Sequence, residues 1–142
     1  MPLTRWLRDR GRGVSGAEYS ASIATMQATA RRAIEAWQDY DAILTPTLAQ
    51  PPAPVGGLRD DADPAADFEA QKAFTPFTSV YNITGQPAIT LPIGWTASGD
   101  GSPRLPIGVM LAGKPAGEAA LLSLAAQLEA ADPWGGKHPP GW

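Results

Sequence analysis

Chemistry in this chain would have to start from very few side chains. His138 is the sole histidine, and it sits beside Pro139 and Pro140 with no neighbour in sequence that could orient it as a general base. Ser15 comes nearest to a nucleophile elbow. Gly13-Val14-Ser15-Gly16-Ala17 matches G-x-S-x-G except that Ala17 stands where the last glycine is needed, and Ser15 with Glu18 has the spacing of a helix capping box. Gly101-Ser102-Pro103 reads as a turn. The carboxylates Asp60, Asp61 and Asp63 lack the glycine and terminal glutamate that a calcium loop needs in register, so they read as the solvated start of a helix at Pro64 and Asp67. Asn82-Ile83-Thr84 formally matches a glycosylation acceptor but falls inside an apparently buried element. With no cysteine, there is no disulfide, thiolate metal site or cysteine nucleophile. Glycine-rich phosphate loops are absent too. From the residues alone, a third reading, a small hydrolase relying on His138, has little to stand on.

The elements that would position these groups are easier to read. The chain holds 15 prolines and 15 glycines set between apolar runs without a fixed period, which predicts a fold with many turns. A net charge of -3 gives no general attraction to nucleic acid or anionic membrane. No run approaches the ~20 apolar residues of a membrane span, and the basic N-terminus lacks the apolar stretch of a signal peptide. A soluble, cytoplasmic protein that needs no cofactor is the expectation.

Residues 1–14 read as a loosely tied leading segment, with Arg5, Arg8, Arg10 and Arg12 on a solvated surface. A helix starts at Ser15, and Tyr19, Ile23, Met26, Ala30, Ile34 and Trp37 form one apolar stripe expected to face the core. Asp41–Thr45 is predicted as a strand covered on both faces and ended by Pro46. Residues 46–63 form a long loop of the kind that is usually functional or mobile. Thr75 and Pro76 read as cap and first residue of a further helix that Gly85 closes. Ala88–Leu91 is the next strand, ended by Pro92. A polar turn over 94–104 leads to a strand at Ile107–Leu111. The last helix spans about Ala116–Ala130, with Leu121, Leu124, Ala125 and Leu128 inward and Asp132-Pro133 as its stop. The tail from 132 to 142 is expected to be irregular. Three strands and two good helices make a thin α/β sheet, which implies a piece of something larger.

Several of these segments, in order, resemble the C-terminal part of the amidase-signature hydrolases, over about residues 17 to 130. The residues are Trp37-Gln38-Asp39-Tyr40, Ile43-Leu44-Thr45-Pro46-Thr47, Asn82-x-x-Gly85-x-Pro87-Ala88, Leu91-Pro92-x-Gly94, Leu105-Pro106-Ile107-Gly108-Val109-x-Leu111 and the helix from Glu118 to Glu129. The resemblance implies an α/β fold, the C-terminal portion of a mixed-sheet domain, with about three strands flanked by helices over 15–131. It implies hydrolysis of a carboxamide through an acyl-enzyme, using a serine nucleophile, a second serine on a cis peptide and a lysine base. Those groups belong to the family's N-terminal half. Gly-Gly-Ser-Ser-Gly-Gly does not occur here, and Lys72, Lys114 and Lys137 are not in the family's catalytic-lysine setting, so no catalytic residue is carried over. Losing the nucleophile of a serine hydrolase costs about six orders of magnitude in turnover, so this chain by itself is expected to be inert.

What the resemblance leaves is a substrate-facing role. Thr45, Pro46 and Thr47 at the strand end, with Phe74, Thr75, Phe77 and Asn82, are the implied wall of the acyl pocket. Where glutamine-directed relatives place an acidic reader, this chain has Phe74-Thr75-Pro76-Phe77, which implies an apolar or aromatic acyl group; plain core is the other reading of Phe74 and Phe77. The implied partners are the missing N-terminal amidase portion or a companion chain, and a small-molecule amide. Self-association through exposed strand edges is a further expectation. The alternative function is a non-catalytic ligand- or partner-binding module derived from the same fold.

Overall fold

The computed structural model describes residues 1–97 and 104–137. Eight elements follow one another: α1 (Pro2–Arg12), α2 (Gly16–Trp37), β1 (Ala42–Pro46), α3 (Pro64–Phe74), α4 (Ser79–Thr84), β2 (Ala88–Trp95), β3 (Pro106–Gly113) and α5 (Glu118–Ala131). The strands form one antiparallel sheet in the order β1-β3-β2.

Ser15 starts α2 as its spacing predicts. The Glu18 N–H donates to Ser15 Oγ (3.2 Å), and the Ser15 N–H donates to Glu18 Oε2 (2.8 Å), so each satisfies a backbone amide or side chain of the other. The Ser15 backbone N–H foremost, and then its hydroxyl, hold the Glu18 carboxyl below its ordinary value. At the other end of the chain, α5 lays Leu121 and Ala125 onto Leu91 and Leu111, with Leu124 and Leu128 packed at the margin. All four inward positions of the last helix are where its periodicity puts them. The Asp132 N–H closes it on the Leu128 carbonyl at 3.1 Å.

The opposite face of the sheet carries a second cluster. Tyr81 of α4 packs with Met110 and Ala112 of β3, and Trp37, Phe77 and Val80 close around them. The Trp37 and Tyr81 rings are 5.6 Å apart. Burial pushes the Tyr81 phenol up. Gly85 then takes φ +70°, where a side chain would be strained, and its N–H donates to the Tyr81 carbonyl.

Several local readings are corrected. Residues 1–14 are not a loose segment throughout: Pro2 fits the first helical position, and α1 is held by Trp6 against Phe68 of α3, ring centroids 5.8 Å apart. Thr75 does not cap a following helix. Its hydroxyl donates to the Gln71 carbonyl and it ends α3, while α4 begins three residues later than Pro76 would have it. Pro92 does not end β2. The strand runs on to Trp95 through a register shift between Leu91 and Gly94, and an edge strand tolerates proline at such an irregularity because no ladder bond is lost there. Of the turn over 94–104, residues 94 and 95 are strand and 98–103 lie outside the described residues, as does the tail from 138.

The α2 stripe is only half covered. Ala30 is buried, and Ile34 and Trp37 are partly buried, but Tyr19 and Met26 are exposed. Length explains this. A 22-residue helix is about 33 Å long, whereas its neighbour α4 has six residues, about 9 Å. β1 is likewise not covered on both faces: Leu44 is 63% exposed.

Candidate functional site

The loop from Thr47 to Asp63 is a strap. Its start is fixed by the Thr47 N–H on the Gly108 carbonyl (3.0 Å) and the Ala49 N–H on the Phe74 carbonyl (3.1 Å). Gly56, at φ +80°, turns it back, with the Gly57 N–H on the Pro54 carbonyl. Its end is pinned by Arg59. Arg59 Nη2 donates to Asp61 (2.8 Å), and Arg59 Nε lies 3.2 Å from Oδ2 of Asp67, whose side chain is fully buried. The Nε–H is not aligned on Oδ2, so this second contact is Coulombic rather than a hydrogen bond. The Asp61 hydrogen bond, followed by the field of Asp67, raises the already high guanidinium pKa. On its other side Asp67 accepts from Gln71 Nε2.

Clefts run along this strap. One, about 240 Å³, lies where Pro46, Leu48 and Pro52 meet Pro106, Ile107 and Gly108. A second shares Leu48 and Pro52 with it and extends to Arg59 and Phe74. A third adds Gln71 and Thr75. The path thus joins Pro46 to Phe74 and Thr75, residues some thirty positions apart. Its walls are mostly apolar. Its one ionic group, Arg59, already faces two carboxylates, so the path suits an uncharged ligand better than a charged one.

Beside the first cleft, the threonines share a sheet face. Pairing of Thr45 with Met110, and of Met110 with Thr90, sets the two hydroxyls on the side of Tyr81 and Ala112. Thr47 Oγ1 donates to Thr90 Oγ1 at 3.4 Å across Gly108. A Cβ at Gly108 would sit 2.7 Å from Thr47 Oγ1, so only glycine admits this crossing. Thr45 Oγ1 is enclosed without a hydrogen-bond partner. Of the other sequence-predicted residues, Phe77 packs into the Tyr81 cluster, and Asn82 is exposed, its N–H spent on the Thr78 carbonyl. Thr90, Gly108 and the strap residues Leu48 and Pro52 were not among the site residues expected from the sequence. Only the strand register and the strap's return bring them to Thr47.

Among the described residues, no serine or threonine hydroxyl is hydrogen-bonded to a lysine or histidine. The one that meets a carboxylate, Ser15 on Glu18 at 2.7 Å, is the exposed helix cap. His138 lies outside the described residues. No cluster of three metal-ligating side chains occurs among them, and none of their helices is long and apolar enough to cross a membrane.

Comparison with known proteins accounts for this architecture. A family model described as Amidase matches residues 2–122. The putative amidase AmiC of Mycobacterium tuberculosis is 37% identical over 119 residues, which is 84% of this chain and 24% of that protein. The putative amidase AmiB2 of the same species is 40% identical over 104 residues, 72% of this chain and 21% of that protein. This chain therefore spans about a quarter of the length of these relatives. Among solved structures, 6-aminohexanoate cyclic dimer hydrolase with its substrate superposes with a TM-score of 0.81 at 28% identity, over 94% of this chain and 28% of that one. A bacterial aryl acylamidase of the amidase-signature family shares the fold, with a TM-score of 0.62 at 22% identity. With its strap, its strand register and its two helix-backed sheet faces, the chain belongs to the Amidase family.

Proposed function

We propose that this chain is the C-terminal part of an amidase that cleaves carboxamide C–N bonds, contributing sheet and acyl-pocket wall while the reactive serines and lysine come from a separate portion or a companion chain. In that reaction a serine Oγ bonds to the substrate carbonyl carbon, the amine departs with a proton, and water then releases the acid and restores the serine. The observation that carries the proposal is a pairing. The chain follows the fold of 6-aminohexanoate cyclic dimer hydrolase at a TM-score of 0.81 while covering 28% of it, and none of its described serine or threonine hydroxyls is hydrogen-bonded to a lysine or histidine.

Within this reading Thr45, Pro46 and Thr47 wall one end of the acyl path. Phe74 and Thr75 wall the other, while Phe77, packed in the Tyr81 cluster, and exposed Asn82 line none of the strap's clefts and would reach the acyl group only in the assembled enzyme. An apolar path with its lone guanidinium neutralised favours an uncharged, apolar or aromatic acyl group. The protein so read works in the cytoplasm. The test is a serine-directed fluorophosphonate probe combined with hydrolysis of a neutral anilide. The purified chain takes no label and shows no turnover. Co-expressed with the part of AmiC outside the 24% matched here, it gives a labelled, active pair. Labelling of the purified chain alone would overturn the proposal.

A further inference from the structure

The two outer strands of the sheet are unlike each other. β2 protects its free edge with Pro92 and the register shift between Leu91 and Gly94; both devices discourage another strand from pairing there. β1 has neither. Its five residues oppose β3 without a shift, Ala42 to Gly113 through Pro46 to Val109, and none of them is charged.

The direction of each backbone group on β1 can be worked out. The Thr47 N–H points to β3, where it meets the Gly108 carbonyl. Antiparallel pairing alternates, so Thr45 and Ile43 also point to β3. Ala42, Leu44 and Pro46 therefore turn their backbone groups outward. Gly113 confirms the alternation from the other side: opposite Ala42, it sends its N–H to the Pro87 carbonyl instead. The open edge of β1 offers the N–H groups of Ala42 and Leu44 and the carbonyls of Ala42, Leu44 and Pro46. Proline adds no donor. Above that edge, α5 packs on β2 and β3, and Leu44, on the same face as Leu111, stays 63% exposed. An open ladder and an uncovered leucine thus coincide at one place.

We infer that the β1 edge, and not the β2 edge, is where this chain docks its companion amidase polypeptide, which adds a strand hydrogen-bonded to Ala42 and Leu44 and an apolar side chain over Leu44. This inference rests on the proposed function, because the length by which related amidases exceed this chain supplies the occupant. Main-chain bonds to alternate residues hold such a strand, and Leu44 sets its register. Pro46 marks where the pairing stops.

The test co-expresses this chain with the part of AmiC outside the matched 24% and measures its retention on tagged chain. Leu44→Lys, which places a charge on the edge without touching the bonds to β3, is expected to cut retention at least about tenfold. Ala88→Lys, exposed on β2, is expected to leave it unchanged. Hydrogen exchange on the unmodified chain gives a second measurement free of folding defects. Alone, the Ala42 and Leu44 amides exchange fast while Ile43 and Thr45 are protected; with the companion, Ala42 and Leu44 slow by at least about tenfold. Retention that survives Leu44→Lys, with those two amides still fast, overturns the edge assignment and leaves the amidase reading standing. A wild-type chain that neither retains the companion nor gains activity overturns both. Cross-linked dimers of this chain that persist beside the companion and vanish in Leu44→Lys would give the edge to a second copy and also overturn the inference.

Discussion

Leu121 of α5 and Tyr19 of α2 both sit on the apolar stripe of a well-formed helix, yet Leu121 is 4% exposed and Tyr19 64%. The two helices differ in what lies beneath them. Under α5 run two eight-residue strands joined by the longest ladder in the sheet. Under α2 there is only the six-residue α4 and the edge of a small cluster. The same periodic signal therefore gives core in one place and open surface in the other. An amphipathic stripe states what a helix can bury; whether it is buried depends on the length of the layer it meets.

The sharpest way to probe that contrast is to cut both stripes. Leu121→Ala removes a side chain that packs on Leu91, Leu111 and Gly113 and is expected to cost about 2–5 kcal/mol. Tyr19→Ala is expected to stay within about 0.5 kcal/mol. Urea unfolding of the two variants checks the pair, and comparable losses would mean that α2 is covered in solution. Next in size is Gly85→Ala. At φ +70° the methyl costs about 1–2 kcal/mol even though open space surrounds it, so its thermal midpoint should fall while that of Gly16→Ala, at the start of α2, does not. The smallest effect is at the helix cap. Ser15→Ala is expected to cost about 1 kcal/mol. Because the Glu18 carboxyl is held below its ordinary value of 4.5, the stability it adds is present above that value and lost as the pH falls through the lowered one. Circular dichroism from pH 6 downward should show the wild type losing this increment and Ser15→Ala, which keeps the backbone bond to the carboxylate but not the hydroxyl's, losing less of it.

What the sequence disclosed follows the range of the forces involved. Ser15 with Glu18, Gly85, and the spacing from Leu121 to Leu128 act within a turn or two, and each is found where local rules place it. α1 escaped notice because Trp6 is held by Phe68, sixty-two positions away. Pro92 misled because its tolerance depends on β2 lying at the edge of the sheet, which strand order decides and local sequence does not. The candidate site divides in the same way. Thr45, Pro46 and Thr47 stand on one strand and could be named together. Thr90 and Gly108 join them only through the register of three strands, and the strap's clefts only through the meeting of Arg59 with buried Asp67.

Gly113 has both of its backbone groups engaged by the turn that leads into β2: its N–H by the Pro87 carbonyl at 2.9 Å, its carbonyl by the Nε2 of buried Gln86 at 2.8 Å. Leu121 of α5 rests on the same glycine, where an added Cβ would lie 3.0 Å from its Cγ. Helices on opposite sides of the sheet are thereby soldered to one joint. A side chain at position 113 would therefore be felt in both layers at once, pressing on Leu121 of α5 and on the strand whose hydrogen bonds hold the turn that follows α4.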